Sequence, residues 1–209
     1  MTRAIKSARL ATIVCCALAI ASPGTPALAA KSKPFAPLPS NPLKLVRKAG
    51  LEPDVVEHFE YHVHAHLDLF VNGRRAVIPG GIGIRTEDPA IPGGKQGGAP
   101  AFGGPAPTGC GKPCISPLHT HFADGVIHIE ALEHTPDFFT LGRFFREWNV
   151  RLDRSCVGKF CKGVKVYVDG ERRTGNPGTI ELVSHQEIAI VIGKPPRTIP
   201  SSYDFNPGD

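Results

Sequence analysis

The chain reads as a β-dominated α+β fold, a mostly antiparallel sheet of hairpins carrying one or two short helices. Three observations lead there. Val56 to Val71 alternates strictly between two side-chain classes, the period of a strand with one face on a core. Val71-Asn72-Gly73 and Val168-Asp169-Gly170 close two strand-like runs with residues that tolerate the positive φ of a type I′ hairpin turn. Helical periodicity is confined to two short stretches, Leu43 to Ala49 and Leu141 to Trp148.

Taken in order, residues 1–29 have the layout of a secretory signal peptide: basic Arg3, Lys6 and Arg9, an apolar Leu10 to Ala21, a Pro-Gly break, and Ala27-Leu28-Ala29 before a cut ahead of Ala30. An uncleaved anchor is the alternative, but the apolar core is short for a span of about 20 residues. Cys15 and Cys16 lack the small residues that precede a lipidated cysteine and should leave with the leader. Residues 30–55 form a Pro-rich tether followed by a short helix, with Gly50 as its C-cap.

Residues 56–193 are expected to be a single β-rich domain, followed by a C-terminal tail over 194–209. Arg74 to Ile78 is the return strand of the first hairpin. Residues 89–117 hold eight glycines and seven prolines in 29 positions, which predicts a long irregular loop without helix or strand. Neither its glycines nor those at 80, 81 and 83 have the spacing and following helix of a phosphate or dinucleotide loop. Val126 to Leu132 reads as a central strand, and Thr140 caps a helix that turns Leu141, Phe144, Phe145 and Trp148 to the core. Val164, Val166 and Val168 lead into the second hairpin, and Ile188 to Ile192 is a last buried strand.

Composition narrows the function. With 41% hydrophobic and 21% charged residues the chain belongs among ordinary globular proteins. The formal charge of +5 falls to +2 without the leader's three basic residues, too little for a field that binds nucleic acid. After residue 30 no apolar run approaches the ~18 residues of a membrane span.

Cys110, Cys114, Cys156 and Cys161 remain after the leader, an even number that reads as two disulfides in an oxidising compartment. Three pairings are open. The local pairs Cys110 with Cys114 and Cys156 with Cys161 are preferred, because a turn between near neighbours brings the Cβ atoms to bonding distance. Thiolate metal capture or redox exchange at Cys110-Gly-Lys-Pro-Cys114 is the competing reading, with a spacing unlike the thioredoxin motif.

Eight of the nine histidines fall in two clusters. On an extended Glu60 to Leu69, Val63, Ala65, Leu67 and Leu69 share one face, while His58, Glu60, His62, His64, His66 and Asp68 share the other. Imidazoles are costly to bury dry, since each ring nitrogen needs a partner, and a metal ion takes one nitrogen from each ring. Alternate residues lie about 6.6–6.8 Å apart along a strand, so this strand supplies two ligands, His62 with His64 or His64 with His66. His119-Thr-His121 repeats the geometry, and His128-Ile-Glu130 puts an imidazole and a carboxylate on one face of a later strand. If those strands are neighbours, the candidate ligands are His62, His64, His66, His119, His121, His128 and Glu130. Some would support the ligands from behind or serve a second ion. Asp124 could orient a ring or accept a proton from bound water. His58, His134 and His185 are individually surface or hydrogen-bonded histidines, and a solvated or pH-responsive histidine face is the bland alternative. Nitrogen donors with one carboxylate suit Zn or Cu(II), and also Fe or Ni.

Tyr61-His-Val-His-Ala-His-Leu67, Leu118-His-Thr-His121, Val126-Ile-His-Ile-Glu130 and Thr140-Leu-Gly-Arg-Phe-Phe145 together resemble a group of exported, uncharacterised bacterial and archaeal domains over roughly residues 58–193. The resemblance implies a folded domain with a histidine site, and no reaction. Single motifs are also similar to the copper strand of copper-zinc superoxide dismutase (His62-Val-His64) and to the first cupin motif (His119-x-His121), but the partner motifs of both families are missing.

The expected protein is therefore an exported copper or zinc carrier, scavenger or sensor whose partner is the metal ion. An extracytoplasmic metalloenzyme, with Glu130 or Asp124 as base, is the alternative, and a module merely stapled by metal is a third.

Overall fold

The structure, a computed structural model, describes residues 33–103 and 109–206. The expected signal peptide lies outside the described residues. Helix α1 (Pro42–Lys48) is followed by the long strand β1 (Tyr61–Val71), which the Asn72-Gly73 turn returns as β2 (Arg74–Ala76). Both turn residues have positive φ, as the hairpin requires. β3 (Gly93–Gln96), β4 (Ala99–Phe102), β5 (Leu118–His119) and β6 (Val126–Ala131) precede helix α2 (Leu141–Glu147). The second hairpin, β7 (Val164–Val168) and β8 (Glu171–Arg173), and the strand β9 (Glu187–Ile192) complete the order.

β1 is the organising strand. Along one edge it pairs antiparallel with β6 over Tyr61–His66 and then with β2 over Leu69–Val71. Along the other edge it pairs with β9 over His66–Val71, and β7 and β8 continue the sheet beyond. β5 lies on the far side of β6, so the sheet runs β5-β6-β1-β9-β7-β8. The β1–β9 pairing is parallel, a departure from an all-hairpin sheet. Hairpin turns report only local pairings, and β1 and β9 meet across more than a hundred residues of chain.

The two faces of the sheet differ. Ala65, Leu67 and Leu69 of β1, Ile127 and Ile129 of β6, and Ile188 and Ile190 of β9 are fully buried beneath α1 and α2. Thr140 caps α2 as expected, its hydroxyl accepting from Arg143 N–H, and Leu141, Phe144, Phe145 and Trp148 are in the core. The opposite face carries the histidines; Tyr203 of the C-terminal tail stacks on His66 there, and residues 81–83 bond to residues 116–120 beside β5. Residues 33–41 precede α1 without regular structure but lie against the domain: Phe35 N–H donates to Val77 O, and the Trp148 indole donates to Ala36 O.

Residues 89–117 contain a hairpin, which corrects the expectation of a structureless loop. β3 and β4 pair across Gly97-Gly98, both at positive φ. Glycine density weakens side-chain packing but supplies the turn a two-stranded ribbon needs. Both local disulfides form, Cys110–Cys114 and Cys156–Cys161. Among the described residues no helix is long and apolar enough to cross a membrane.

Candidate metal centre

Sheet register builds the site. His64 stands opposite His128, His62 opposite Glu130, and His119 opposite His128, so side chains from three adjacent strands project from one face. His62 Nε2 lies 3.0 Å from His64 Nε2, which lies 2.9 Å from His128 Nδ1. His119 Nε2 and His121 Nε2 are 3.0 Å apart. Glu130 Oε1 sits among them, 3.2 Å from His128 Nδ1, 3.3 Å from His62 Nε2 and 3.7 Å from His119 Nε2. Ligands on a tetrahedral ion with metal–nitrogen bonds of about 2.0–2.1 Å are themselves about 3.3 Å apart, close to these spacings.

Backbone carbonyls orient two of the rings. His119 Nδ1 is 2.9 Å from Ser116 O, and His121 Nδ1 is 2.7 Å from Phe102 O. A carbonyl oxygen only accepts, so each Nδ1 carries the hydrogen, and in the neutral ring each Nε2 presents a lone pair. The two lone pairs face each other. Glu57 Oε1, a further acceptor, is 3.3 Å from His121 Nε2. Three acceptors turned toward one another repel unless a cation lies among them.

A proton is disfavoured on two of these rings. Burial, reinforced by the His121 imidazole, holds His119 well below the ordinary histidine range, and burial with the neighbouring His119 does the same for His128. Both rings are therefore neutral and available as ligands at neutral pH. Burial, with the Glu57 carboxylate beside it, pushes Glu130 up to about 8, so without metal its carboxyl holds a proton. Among the described residues, the buried Glu130 Oε2 has no hydrogen-bond partner.

The glycine-rich segments position this geometry. Phe102 is the last residue of β4, and its N–H also donates to His121 O at 3.0 Å. A Cβ on Gly103, which sits at φ +83, would collide with the His121 ring. Cβ atoms on Gly80 and Gly83 would strike the backbone carbonyls of His121 and Leu118. These glycines let two chain segments close on the His119–His121 stretch.

Of the expected ligands, the structure brings His62, His64, His119, His121, His128 and Glu130 together. It does not bring His66 to them. His66 Nε2 is 3.0 Å from Asp124 O and Nδ1 is 2.6 Å from Glu187 Oε2, while the ring stacks on Tyr203 at 3.7 Å between centroids. Asp124, expected near bound water, instead accepts from Val126 N–H at 3.1 Å through its carboxylate. His58 is bonded to Asp54, His134 to Glu181, and His185 packs on Phe205.

Glu57 was missed, because strand alternation places odd-numbered residues on the core face. The strand begins only at Tyr61, and in the irregular approach to it the parity rule has no force. Comparison of the chain with family models, with curated proteins and with solved structures returns no match.

Proposed function

We infer that this protein binds a transition-metal ion, Zn or Cu, outside the cytoplasm, as a carrier, scavenger or sensor. The observation that carries the reading is the facing pair of acceptor nitrogens on His119 and His121. Their other nitrogens are committed to carbonyl oxygens, and burial opposes a proton on His119. Two disulfides in so short a stretch of chain support an oxidising compartment, consistent with the export signal expected over residues 1–29. The decisive experiment is metal per chain on untagged mature protein. Zn or Cu(II) should be retained through dialysis at pH 7.5 and released on acidification as the ligand imidazoles protonate. Protein that takes up neither ion at micromolar concentration contradicts the reading.

One observation favours a second reading, a metalloenzyme. A cleft of about 370 Å³, walled by Leu51, Ile115, Phe138 and Phe139, reaches Glu57 and Glu130. Its volume lies within the range of small-molecule sites. Glu130, on the wall of that cleft, would then hold or pass a proton, and a bound ion would supply Lewis-acid chemistry beside it. Turnover of model esters or phosphoesters by zinc-loaded protein, lost in Glu130→Gln while metal is kept, would move the assignment to this reading.

A further inference from the structure

The donors outnumber what one ion takes, and their arrangement is two-sided. β6 is the middle strand of three: His62 and His64 stand on β1 to one side, and His119, the last residue of β5, stands with His121 just beyond it on the other. Each outer pair closes to 3.0 Å between its own Nε2 atoms, as two ligands of a single ion do. Two sets of mutually close donors result, and both contain His128 and Glu130.

The middle strand supplies the shared groups. Glu130 Oε1 lies between the sets, 3.3 Å from His62 Nε2 and 3.7 Å from His119 Nε2. Its second oxygen is buried and unbonded among the described residues, so the carboxylate still has a free ligating atom. His128 Nδ1 closes the His64 side at 2.9 Å. Glu57 Oε1 closes the other side, 3.3 Å from His121 Nε2 and 3.9 Å from His119 Nε2. Each side thus holds three protein donors before the shared carboxylate is added, the four-coordinate complement of a divalent transition metal.

We propose that the centre is dinuclear: one divalent ion is held by His62, His64 and His128, a second by His119, His121 and Glu57, and the Glu130 carboxylate bridges them. The proposal rests on the metal-binding reading and goes beyond it in stoichiometry and bridging.

The test uses the full mature chain without a tag. Zn titrated against a chromophoric chelator, with elemental analysis of the dialysed product, should give two ions per chain. The double variants His62→Ala/His64→Ala and His119→Ala/His121→Ala should each keep one. A single ion per wild-type chain overturns the dinuclear centre and leaves metal binding standing, whereas no ion at all overturns metal binding itself. Because either double variant could misfold, Cu(II) electron paramagnetic resonance on the wild-type chain provides the second arm. The spin signal of the first equivalent should shrink when the second is added, as the two ions couple through Glu130. Two independent, additive signals would overturn the bridge.

Discussion

His62, His64 and His66 occupy one face of one strand at identical spacing, yet the two ends of that run serve different ends. Beside His62 and His64 the neighbouring strand is β6, which contributes His128 and Glu130. At His66 the partner on β6 is Val126, which offers no ligand, and β9 joins along the opposite edge with Glu187 in register. At the first end imidazole nitrogens meet one another, a surplus of acceptors that a cation satisfies. At the second, a carboxyl and a backbone carbonyl engage both nitrogens of His66, and the ring needs nothing further. A histidine's chemistry is thus set by what its second nitrogen touches. His66, Asp68 and Glu187 do place ligand atoms within 4.8 Å of one another, but Asp68 already accepts from Arg75 at 2.8 Å and His66 is bonded at both nitrogens. That cluster reads as a buried polar network holding β1 to β9.

Substitutions at the two ends should separate cleanly. His121→Ala removes a ligand and should weaken zinc binding on its side by more than the 10–100-fold typical for loss of an outer partner, with the fold retained. His66→Ala should do the reverse. It leaves Glu187 buried beside an empty space, at a cost of about 3–5 kcal/mol seen as a lower Tm, while metal per chain stays unchanged. Equilibrium unfolding and elemental analysis on both variants check the pair, and metal loss in His66→Ala would collapse the distinction.

Gly103→Ala tests the hairpin's part in the centre. Crowding the His121 ring and straining a residue at φ +83 should lower zinc affinity by about 10–100-fold with the ligands all present. Unchanged affinity would mean that the Phe102 carbonyl does not set the ring's orientation.

pH should act in opposite directions through the two kinds of group in metal-free protein. His119 and His128 titrate lower in the fold than in the unfolded chain, so the unfolded chain binds more protons and stability falls as pH drops below about 6.5. Glu130 titrates at about 8 in the fold against 4.5 ordinarily, so the folded state binds more protons between those values and stability falls as pH rises through that window. Glu130→Gln removes the second loss, and denaturation of metal-free protein across pH 4.5 to 8 should show the variant gaining on wild type toward the alkaline end. The smallest effect belongs to Asp124→Ala. Loss of its bond to Val126 N–H should cost about 0.5–1.5 kcal/mol and leave metal affinity unaltered, whereas a metal-affinity drop would restore Asp124 to the centre.

Much of this was legible in the sequence because period and turn chemistry are local. Alternation placed His62 and His64 on one face, Asn72-Gly73 and Asp169-Gly170 marked the hairpins, and near spacing led to both disulfides. What stayed hidden was non-local. Whether His66 joins the other rings depends on where β9 begins along the far edge of β1, a parallel pairing that no turn announces. Glu57 approaches from outside any strand, and the role of Phe102 depends on a ribbon whose glycine-rich sequence reads as loop.

The most direct test is crystallography of zinc-soaked protein with anomalous data at the zinc edge. The account predicts anomalous density among the rings of His62, His64, His119, His121 and His128, against Glu130. Density confined to the His66 and Glu187 cluster or to the surface, with those five rings still packed nitrogen to nitrogen, would contradict it.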